Sequence, residues 1–503
     1  MVCFDEPVLA GIGPADDEEL GERTGAPGRA LRAFPIVRKS LPRSLAASLL
    51  AGCLLGLLGG CGDGQPRPNV LFVVIDTLRS DYCSCYGYPL PTTPVLDELA
   101  AEGVRFANVY TPIPTTGPAH ASLFTARPPL IHGVLKNGHV LAPEAVTLAE
   151  ILQRQGYDTA AFVSAFPVNR KFGFSQGFET YDDDFKDARS PLRAPNPQTP
   201  GAAEVFERRA DETNDKALDW LRKRSASGND NPFFLWMHYY DPHTPHTPPP
   251  RFARAFLPRA SRQISSQERM KGLYSGEIRF TDEQLGTLLD AIESASPAEN
   301  TLIVITSDHG EGLMDHDWMG HGLLLYEEAL KVPFVMRWTG RIEPGRVVEA
   351  PVALMDIVPT LLELLEISGG REGMMGESQA SRLAREREGA GEAGARDRRL
   401  VFQRRFYEID TVKGHPIKGD KFALLWNNWK YIEAVEEDSR ELFDLQRDPG
   451  ELNNLVEIHL ERRATMSRAL NDAIDRMASL ASGGGQRVSE DDAKRLEALG
   501  YGR

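Results

Sequence analysis

The chain has 503 residues, of which 41% are hydrophobic and 26% charged, as is typical of a globular protein with one large and one smaller domain. Its net charge of -15 argues against nucleic acid or an anionic membrane surface as a main partner, because both require concentrated basic residues. The sequence contains no block of lysine and arginine that would supply such a surface.

An export signal occupies residues 36–61. Three basic residues precede the apolar run "SLAASLLAGCLLGLLGGC", which is short and glycine-rich for a membrane-spanning helix, although a plain membrane anchor is an alternative. Residues 1–35 are polar and acid-rich and lie upstream of a complete signal, so we interpret them as a wrongly assigned extension. Residues 62–68 are the predicted linker to the folded chain.

The signal resembles that of bacterial lipoproteins, with Cys61 as the lipidated residue and Cys53 as the second candidate. We therefore expect an exported, lipid-anchored bacterial protein, in the periplasm or at the cell surface. Only Cys83 and Cys85 lie in the body of the chain. Because one residue separates them, we expect no disulfide.

Apolar runs rich in β-branched residues alternate with helical patterns from residue 69 onward. Strands are predicted at 69–76, 159–164, 232–239, 301–308 and 332–338, and helices at 94–102, 147–155 and near 203–225, 267–294 and 354–366. This alternation predicts an α/β fold with a doubly wound, mostly parallel sheet, which binds ligands beyond the carboxyl ends of its strands. We place the catalytic domain at 69–366.

The character of the sequence changes after residue 366. Residues 367–400 are rich in Gly, Glu and Arg without apolar periodicity, which predicts a mobile surface loop. Residues 401–503 contain short strand-like pieces and a helical pattern from about 452 to 480, which predict a small C-terminal α+β subdomain.

Two predicted strands end in aspartate, at Asp76 and at Asp308, and His309 follows the second. Each aspartate on its own could merely cap a turn or helix. Burying an unpaired carboxylate is costly, however, and a metal ion is the usual remedy. Two such strand ends with an adjacent histidine predict a metal site.

Histidines cluster near the same end of the predicted sheet. The loop "HYYDPHTPHTPPP" at 238–250 follows a strand directly, so at least one of its histidines is expected in the active site. His321 lies between two glycines, where backbone can approach a ligand, whereas we expect His316 at the surface or outside the inner site.

From about residue 69 to 502 the chain resembles the sulfatase family of the alkaline-phosphatase superfamily. The similar segments are "PNVLFVVIDTLRSDYCSCYGY", "TTGPAHASLFTARPPLIHGV", "FFLWMHYYDPHTPHTPP", "VITSDHGEGLMDH", "GHGLLLYEEALKVPF", "ELFDLQRDPGELNNL" and "RLEALGY". The resemblance implies an alkaline-phosphatase-like fold, with Asp76, Asp308 and His309 binding one divalent cation together with the nucleophile oxygen of Thr116.

The resemblance also implies roles for three histidines. His243 and His321 would contact the ester oxygens or the leaving group. His120 stands where sulfatases carry an arginine that steadies the nucleophile.

Departures from the family pattern bear on the chemistry. Sulfatases carry a cysteine or serine that is oxidised to formylglycine where this chain has Thr116, which cannot be converted in that way. The Gly-Lys-Trp-His segment of many sulfatases is also missing, and Thr77 stands where many calcium-binding members have a second aspartate. A threonine nucleophile suits phosphoryl or phosphonyl transfer, because water or an alcohol can clear the covalent intermediate.

Thr116 could also be no more than a helix cap. Pro118 can occupy the first turn of a helix, which places Thr116 where free backbone N–H groups favour an anion. Capping and catalysis use the same position, and the aspartates at the neighbouring strand ends favour catalysis.

The donor set also bears on the metal. An imidazole ligand favours manganese or zinc, with calcium and magnesium as alternatives. A second metal would use Asp241, His243 and His321, and we favour one metal.

The sequence therefore predicts a metal-dependent hydrolase or transferase of phosphate or phosphonate esters, with a small-molecule, lipid or glycan substrate. It does not predict the oligomeric state. A sulfatase that works without formylglycine is one alternative. A degenerate, non-catalytic glycan-binding protein is another, which the intact set of charged ligands disfavours.

Overall fold

The computed structural model describes residues 67–189, 193–195, 203–258, 264–296, 300–383, 398–412 and 415–481, with residues 489, 492 and 496. The predicted extension, signal peptide, lipidated Cys61 and linker up to residue 66 lie outside the described residues. Within the described ranges, no helix combines the length and the apolar character that crossing a membrane requires.

An eight-stranded sheet carries the fold. In spatial order its strands are β14 (Arg346–Val348), β2 (Val104–Phe106), β13 (Phe334–Arg337), β9 (Thr301–Thr306), β1 (Asn69–Ile75), β8 (Phe233–Tyr239), β4 (Asp158–Val163) and β5 (Thr180–Asp182). The central strand β1 pairs in parallel with both β8 and β9. Every residue of β1, β8 and β9 is buried, as expected for parallel strands covered on both faces.

These strands confirm the predicted fold class, with one difference in direction. β13 runs antiparallel to β9 and to β2, so the sheet is mixed. The other five pairings are parallel. An apolar run shows that a strand is buried but not which way it runs, so its direction could not be read from the sequence.

Helices cover both faces of the sheet. They are α1 (Pro94–Glu102), α2 (Thr116–Thr125), α3 (Pro129–His132), α4 (Leu148–Arg154), α5 (Ala210–Ala226), α6 (Pro250–Phe256), α7 (Ser266–Ala295), α8 (Glu327–Leu330), α9 (Ile357–Leu364) and α10 (Leu460–Leu480). Capping boxes begin α4 at Thr147 and α7 at Ser265. Two predicted helices start late: α5 begins at residue 210 rather than near 203, and α10 at 460 rather than 452.

Smaller sheets complete the described residues. One is a three-stranded sheet of β3 (Val109–Tyr110), β12 (Lys331–Val332) and β15 (Val352–Ala353). Two are antiparallel pairs, of β10 (Gly312–Leu313) with β11 (Met319–Gly320) and of β6 (Arg193–Pro195) with β7 (Ala203–Val205). The predicted C-terminal unit contains a four-stranded antiparallel sheet of β16 (Arg399–Val412), β17 (His415–Trp426), β18 (Trp429–Ala434) and β19 (Ser439–Asp444), against which α10 packs.

The first half of the predicted mobile loop, residues 367–383, is packed against the domain. Ile367, Gln379 and Leu383 are buried, and the backbone N–H of Gln379 donates to the hydroxyl of Thr360. Three isolated buried residues give no periodic pattern, so the segment looked like a loose loop in the sequence. Residues 384–397 lie outside the described residues.

Candidate active site

The carboxyl ends of β1 and β9 bring the two aspartates together. Val74 is in register with Thr306, so Asp76 and Asp308 follow neighbouring parallel strands at one edge of the sheet. Asp76, Asp308 and His309 are fully buried, and one ligand atom from each lies within 4.8 Å of the others. This is the arrangement that the sequence predicted for a metal site.

The donor atoms are spaced for a shared cation. His309 Nε2 lies 3.3 Å from Thr116 Oγ1, 3.5 Å from Asp308 Oδ2 and 3.9 Å from Asp76 Oδ1. Atoms that bind one ion at about 2.0 to 2.4 Å lie about 3 to 4 Å apart. Both oxygens of Asp76 and Oδ2 of Asp308 are buried without a hydrogen-bond partner among the described residues. These unpaired acceptors fit a divalent cation.

The protonation states also fit. The Nδ1–H of His309 donates to the carbonyl of Gly310 at 2.9 Å, which leaves the Nε2 lone pair for the site. Burial lowers the pKa of His309 to about 3, so the ring is neutral. Burial raises the pKa of Asp76 and Asp308 above the ordinary range, which is the desolvation penalty that a bound cation would offset.

Thr116 is the first residue of α2, and Thr115 is its N-cap. Thr116 is fully buried, and its hydroxyl faces His309. It is therefore a helical residue pointing into the metal cluster, not the cap itself. Pro118 lies in the first turn, as predicted.

Asn137 lies beside the nucleophile segment and was not predicted from the sequence. The backbone N–H of Gly117 donates to Asn137 Oδ1 at 2.7 Å. Nδ2 of Asn137 is buried and has no hydrogen-bond partner within the described part of the chain. An unsatisfied amide donor next to Thr116 is suited to bind an ester oxygen.

Two buried histidines lie next to the carboxylates. His120 Nδ1 is 2.8 Å from the carbonyl oxygen of Thr116 and 3.6 Å from Asp308 Oδ2, so it contacts the backbone of Thr116 rather than its hydroxyl. His238 Nε2 is 3.5 Å from Asp76 Oδ2, and the two histidine rings are 5.0 Å apart. His120 is therefore positioned to act on the nucleophile through the helix backbone or through Asp308.

The predicted ester-binding histidines, His243 and His321, form a row of neighbouring rings with His309. The His321 ring is 4.5 Å from that of His309 and 5.0 Å from that of His243. His321 Nδ1 faces Oε1 of the buried Glu311 at 3.4 Å. Burial holds the pKa of His243 well below its usual range, so its ring is neutral. Glu311, two residues after His309, was not predicted to take part.

Other candidates are engaged elsewhere. Asp241 Oδ2 accepts the first N–H of α5 at 2.9 Å, which uses part of the carboxylate that the two-metal alternative required. His246 pairs with Glu277 at 3.1 Å. His316 pairs with Glu328 at 2.7 Å and does not reach the metal cluster, in agreement with its predicted outer position.

Two family models match the chain. One described as Sulfatase matches residues 68–367, and one described as N-sulphoglucosamine sulphohydrolase, C-terminal, matches residues 314–479. The protein is an ester hydrolase, the class to which sulfatases belong. More narrowly, it belongs to the sulfatase family, whose model covers more than half of the chain.

The relatives and neighbours are mostly sulfatases. The ulvan-active sulfatase of Formosa agariphila is 29% identical over 337 residues, which cover 62% of this chain and 64% of that protein's length. A structure solved with its substrate D-glucosamine-2-N,6-O-disulfate superposes with a TM-score of 0.67 at 21% identity, over 82% of this chain and 98% of the other. The phosphonate monoester hydrolase of Agrobacterium radiobacter superposes with a TM-score of 0.62 at 22% identity, over 82% and 95%. The two structures establish a shared fold.

Proposed function

We propose that the protein cleaves phosphate or phosphonate esters, by hydrolysis or transfer, with Thr116 as the nucleophile. The observation that carries the proposal is the threonine itself, buried at the start of α2 with its hydroxyl 3.3 Å from His309 Nε2. Asp76, Asp308, His309 and Thr116 would hold one divalent cation. Manganese or zinc suits the imidazole ligand best, with calcium and magnesium as alternatives.

Threonine favours phosphorus over sulfur as the reacting centre. A formylglycine hydrate releases sulfate by elimination, and no such route exists for a threonine ester. A sulfated Thr116 would have to be attacked again at sulfur, whereas a phosphorylated threonine can be cleared by a second in-line displacement. When bound, the cation would lower the pKa of the threonine hydroxyl and offset negative charge on the ester.

The reaction takes place in two displacements. In the first, Thr116 Oγ1 loses its proton and bonds to phosphorus, the bond from phosphorus to the alcohol oxygen breaks, and the alcohol leaves with a proton. In the second, water or an acceptor alcohol bonds to phosphorus, the bond to Thr116 Oγ1 breaks, and the threonine regains its hydrogen. Asn137 Nδ2 donates to a non-bridging oxygen in both steps.

His243 and His321 are placed for the leaving alcohol. Their rings lie 5.0 Å apart, and the His321 ring is 4.5 Å from that of His309. Small-molecule, lipid and glycan esters are all candidate substrates, and the sulfate-bearing sugar bound by one structural neighbour supports the glycan class.

The second candidate function is a sulfatase that uses Thr116 without formylglycine. It is favoured by the relatives, most of which are named sulfatases. A degenerate glycan-binding protein is disfavoured, because a binding module has no use for three fully buried metal-type ligands.

The test is a comparison of four nitrophenyl esters: phosphate monoester, phosphate diester, phosphonate and sulfate. The purified protein, stripped of metal, is assayed with each divalent cation in turn. We expect turnover of at least one phosphorus ester to exceed that of the sulfate, and Thr116→Ala to abolish it. Sulfate turnover far above the phosphorus esters would overturn the proposed substrate class. Undiminished activity in Thr116→Ala would overturn the nucleophile.

We also propose that residues 36–61 direct export and that Cys61 carries a lipid anchor. Cells fed radiolabelled palmitate should label the wild-type protein and not the Cys61→Ala variant. Retained label in Cys61→Ala together with its loss in Cys53→Ala would move the anchor to Cys53.

A further inference from the structure

Buried polar atoms without hydrogen-bond partners cluster around the metal ligands. They are both carboxylate oxygens of Asp76, Oδ2 of Asp308, Nε2 of His120 and both ring nitrogens of His238. A cation held by Asp76, Asp308 and His309 accounts for the oxygens that face it. It does not account for His238, which is fully buried and is the one ring of this group with both nitrogens unpartnered in the described structure.

We propose that His238 is a positioning residue for Asp76: it holds one carboxylate oxygen, Oδ2, and so directs the other, Oδ1, toward the metal site. The inference rests on the proposed function in one respect, that Asp76 is a metal ligand. The two oxygens face different histidines, Oδ2 lying 3.5 Å from His238 Nε2 and Oδ1 lying 3.9 Å from His309 Nε2.

The carboxylates of Asp308 and Asp76 differ in the hydrogen bonds that they accept from the described part of the chain, and His238 is near the one that accepts none. Asp308 Oδ1 accepts the backbone N–H groups of Thr77 and His309 at 3.2 and 2.8 Å, which fixes its orientation. Asp76 accepts no hydrogen bond from any backbone N–H within the described residues. Carboxylates that bind metals are held by outer donors, and the loss of such a donor typically costs about 10- to 100-fold in metal affinity.

The sheet register places His238 where this donor is needed. Val74 of β1 is paired with His238 of β8, and the N–H of Asp76 donates to the carbonyl of Tyr239 at 2.8 Å. The His238 ring also packs 5.0 Å from that of His120 and 6.3 Å from that of Trp236. A neutral imidazole carries one ring N–H, which His238 can present to Asp76.

Metal affinity tests the inference without relying on activity. The full-length protein is titrated with Mn²⁺ and with Zn²⁺ against a chromophoric chelator. We expect His238→Leu to weaken binding by about 10- to 100-fold, and His238→Gln, which keeps an N–H donor, to remain within a few-fold of wild type. Equal affinity in wild type and His238→Leu would overturn the inference.

Buried His132 offers the matched control. Its Nε2–H donates to the Ser122 hydroxyl at 2.9 Å, because its Nδ1 accepts the N–H of Val134, and it does not contact the metal cluster. His132→Leu should leave metal affinity unchanged. A loss equal to that of His238→Leu would show that removing any buried imidazole weakens the site, and would also overturn the inference.

A double-mutant cycle separates this inference from the proposed metal site. If Asp76→Asn leaves metal affinity unchanged, the metal site itself is wrong. If Asp76→Asn weakens binding, His238→Leu should add no further loss on that background, because His238 acts through Asp76. Additive losses would overturn the positioning role alone. If His238→Leu fails to fold, His238→Asn, whose shorter amide stops short of Asp76, takes its place with the same expectations.

Discussion

Replacing Asp76 with asparagine should stabilise the metal-free protein. Asp76 and Asp308 are both fully buried, and their ligand oxygens lie within 4.8 Å of each other. At an effective dielectric constant of about 20, two unit charges at that separation repel by about 3.5 kcal/mol. The neutral amide removes this repulsion, so the free energy of unfolding of the metal-free protein should rise by about 2 to 3 kcal/mol at pH 8.

The stabilisation of the metal-free protein by Asp76→Asn should increase as the pH rises. Burial and the charge of Asp308 raise the pKa of Asp76 above its ordinary range. Between the ordinary and the raised pKa, the folded wild type therefore holds a proton that the unfolded chain has released. Wild-type stability therefore falls as pH rises above the ordinary carboxylate range, and the advantage of Asp76→Asn grows with pH.

Urea unfolding in the presence of a chelator measures the effect, and repeating it with saturating Mn²⁺ or Zn²⁺ measures its reversal. The metal should stabilise the wild type and have little effect on Asp76→Asn. Asp158 is the control, because its carboxylate is paired with Arg224 at 3.1 Å and Asn229 at 2.7 Å, so Asp158→Asn should destabilise the protein. A less stable metal-free Asp76→Asn would refute the reasoning, since it would mean that the carboxylate is satisfied without a cation.

Three further changes have expected outcomes. Asn137→Ala should lower kcat/KM by about 10²- to 10³-fold, because it removes the unpaired Nδ2 donor; an unchanged kcat/KM would exclude that role. The melting temperature should also fall, because the Gly117 N–H loses its acceptor. Burial raises the pKa of Asp282 to about 7. As the pH rises from about 4 to 7, the free energy of unfolding should therefore fall more steeply in wild type than in Asp282→Asn. Urea unfolding at several pH values measures this difference, and equal slopes would contradict it. Gly310→Ala would place a Cβ 1.9 Å from the Glu328 carbonyl oxygen, so calorimetry should show a loss of about 1 to 3 kcal/mol; a wild-type melting temperature would contradict it.

Much of the fold could be predicted because buried parallel strands leave a continuous apolar signature. The predicted strand at 69–76 corresponds to β1, and the one at 232–239 to β8, each within one residue. The antiparallel direction of β13 and the packing of residues 367–383 could not be predicted, because both depend on tertiary pairing that leaves no local period.

Some residues of the candidate site could likewise be predicted from the sequence, and others could not. Asp76, Asp308 and His309 were identifiable because a carboxylate at the end of a buried strand conflicts with its apolar neighbours. Asn137 was not, because its contact with Gly117 spans the fold, and His238 was predicted only as one of several candidate histidines in residues 238–250. An isolated asparagine in a loop or histidine in a strand has many uses, and only the unpaired atoms in the structure distinguish them.

The stereochemical course at phosphorus tests the central claim, that Thr116 forms a covalent intermediate, most directly. A diester made chiral at phosphorus by sulfur substitution is hydrolysed in ¹⁸O-water, and the configuration of the product is determined. Two successive in-line displacements, first by Thr116 and then by water, predict net retention. Inversion would show that water attacks the substrate directly, and would contradict the role assigned to Thr116.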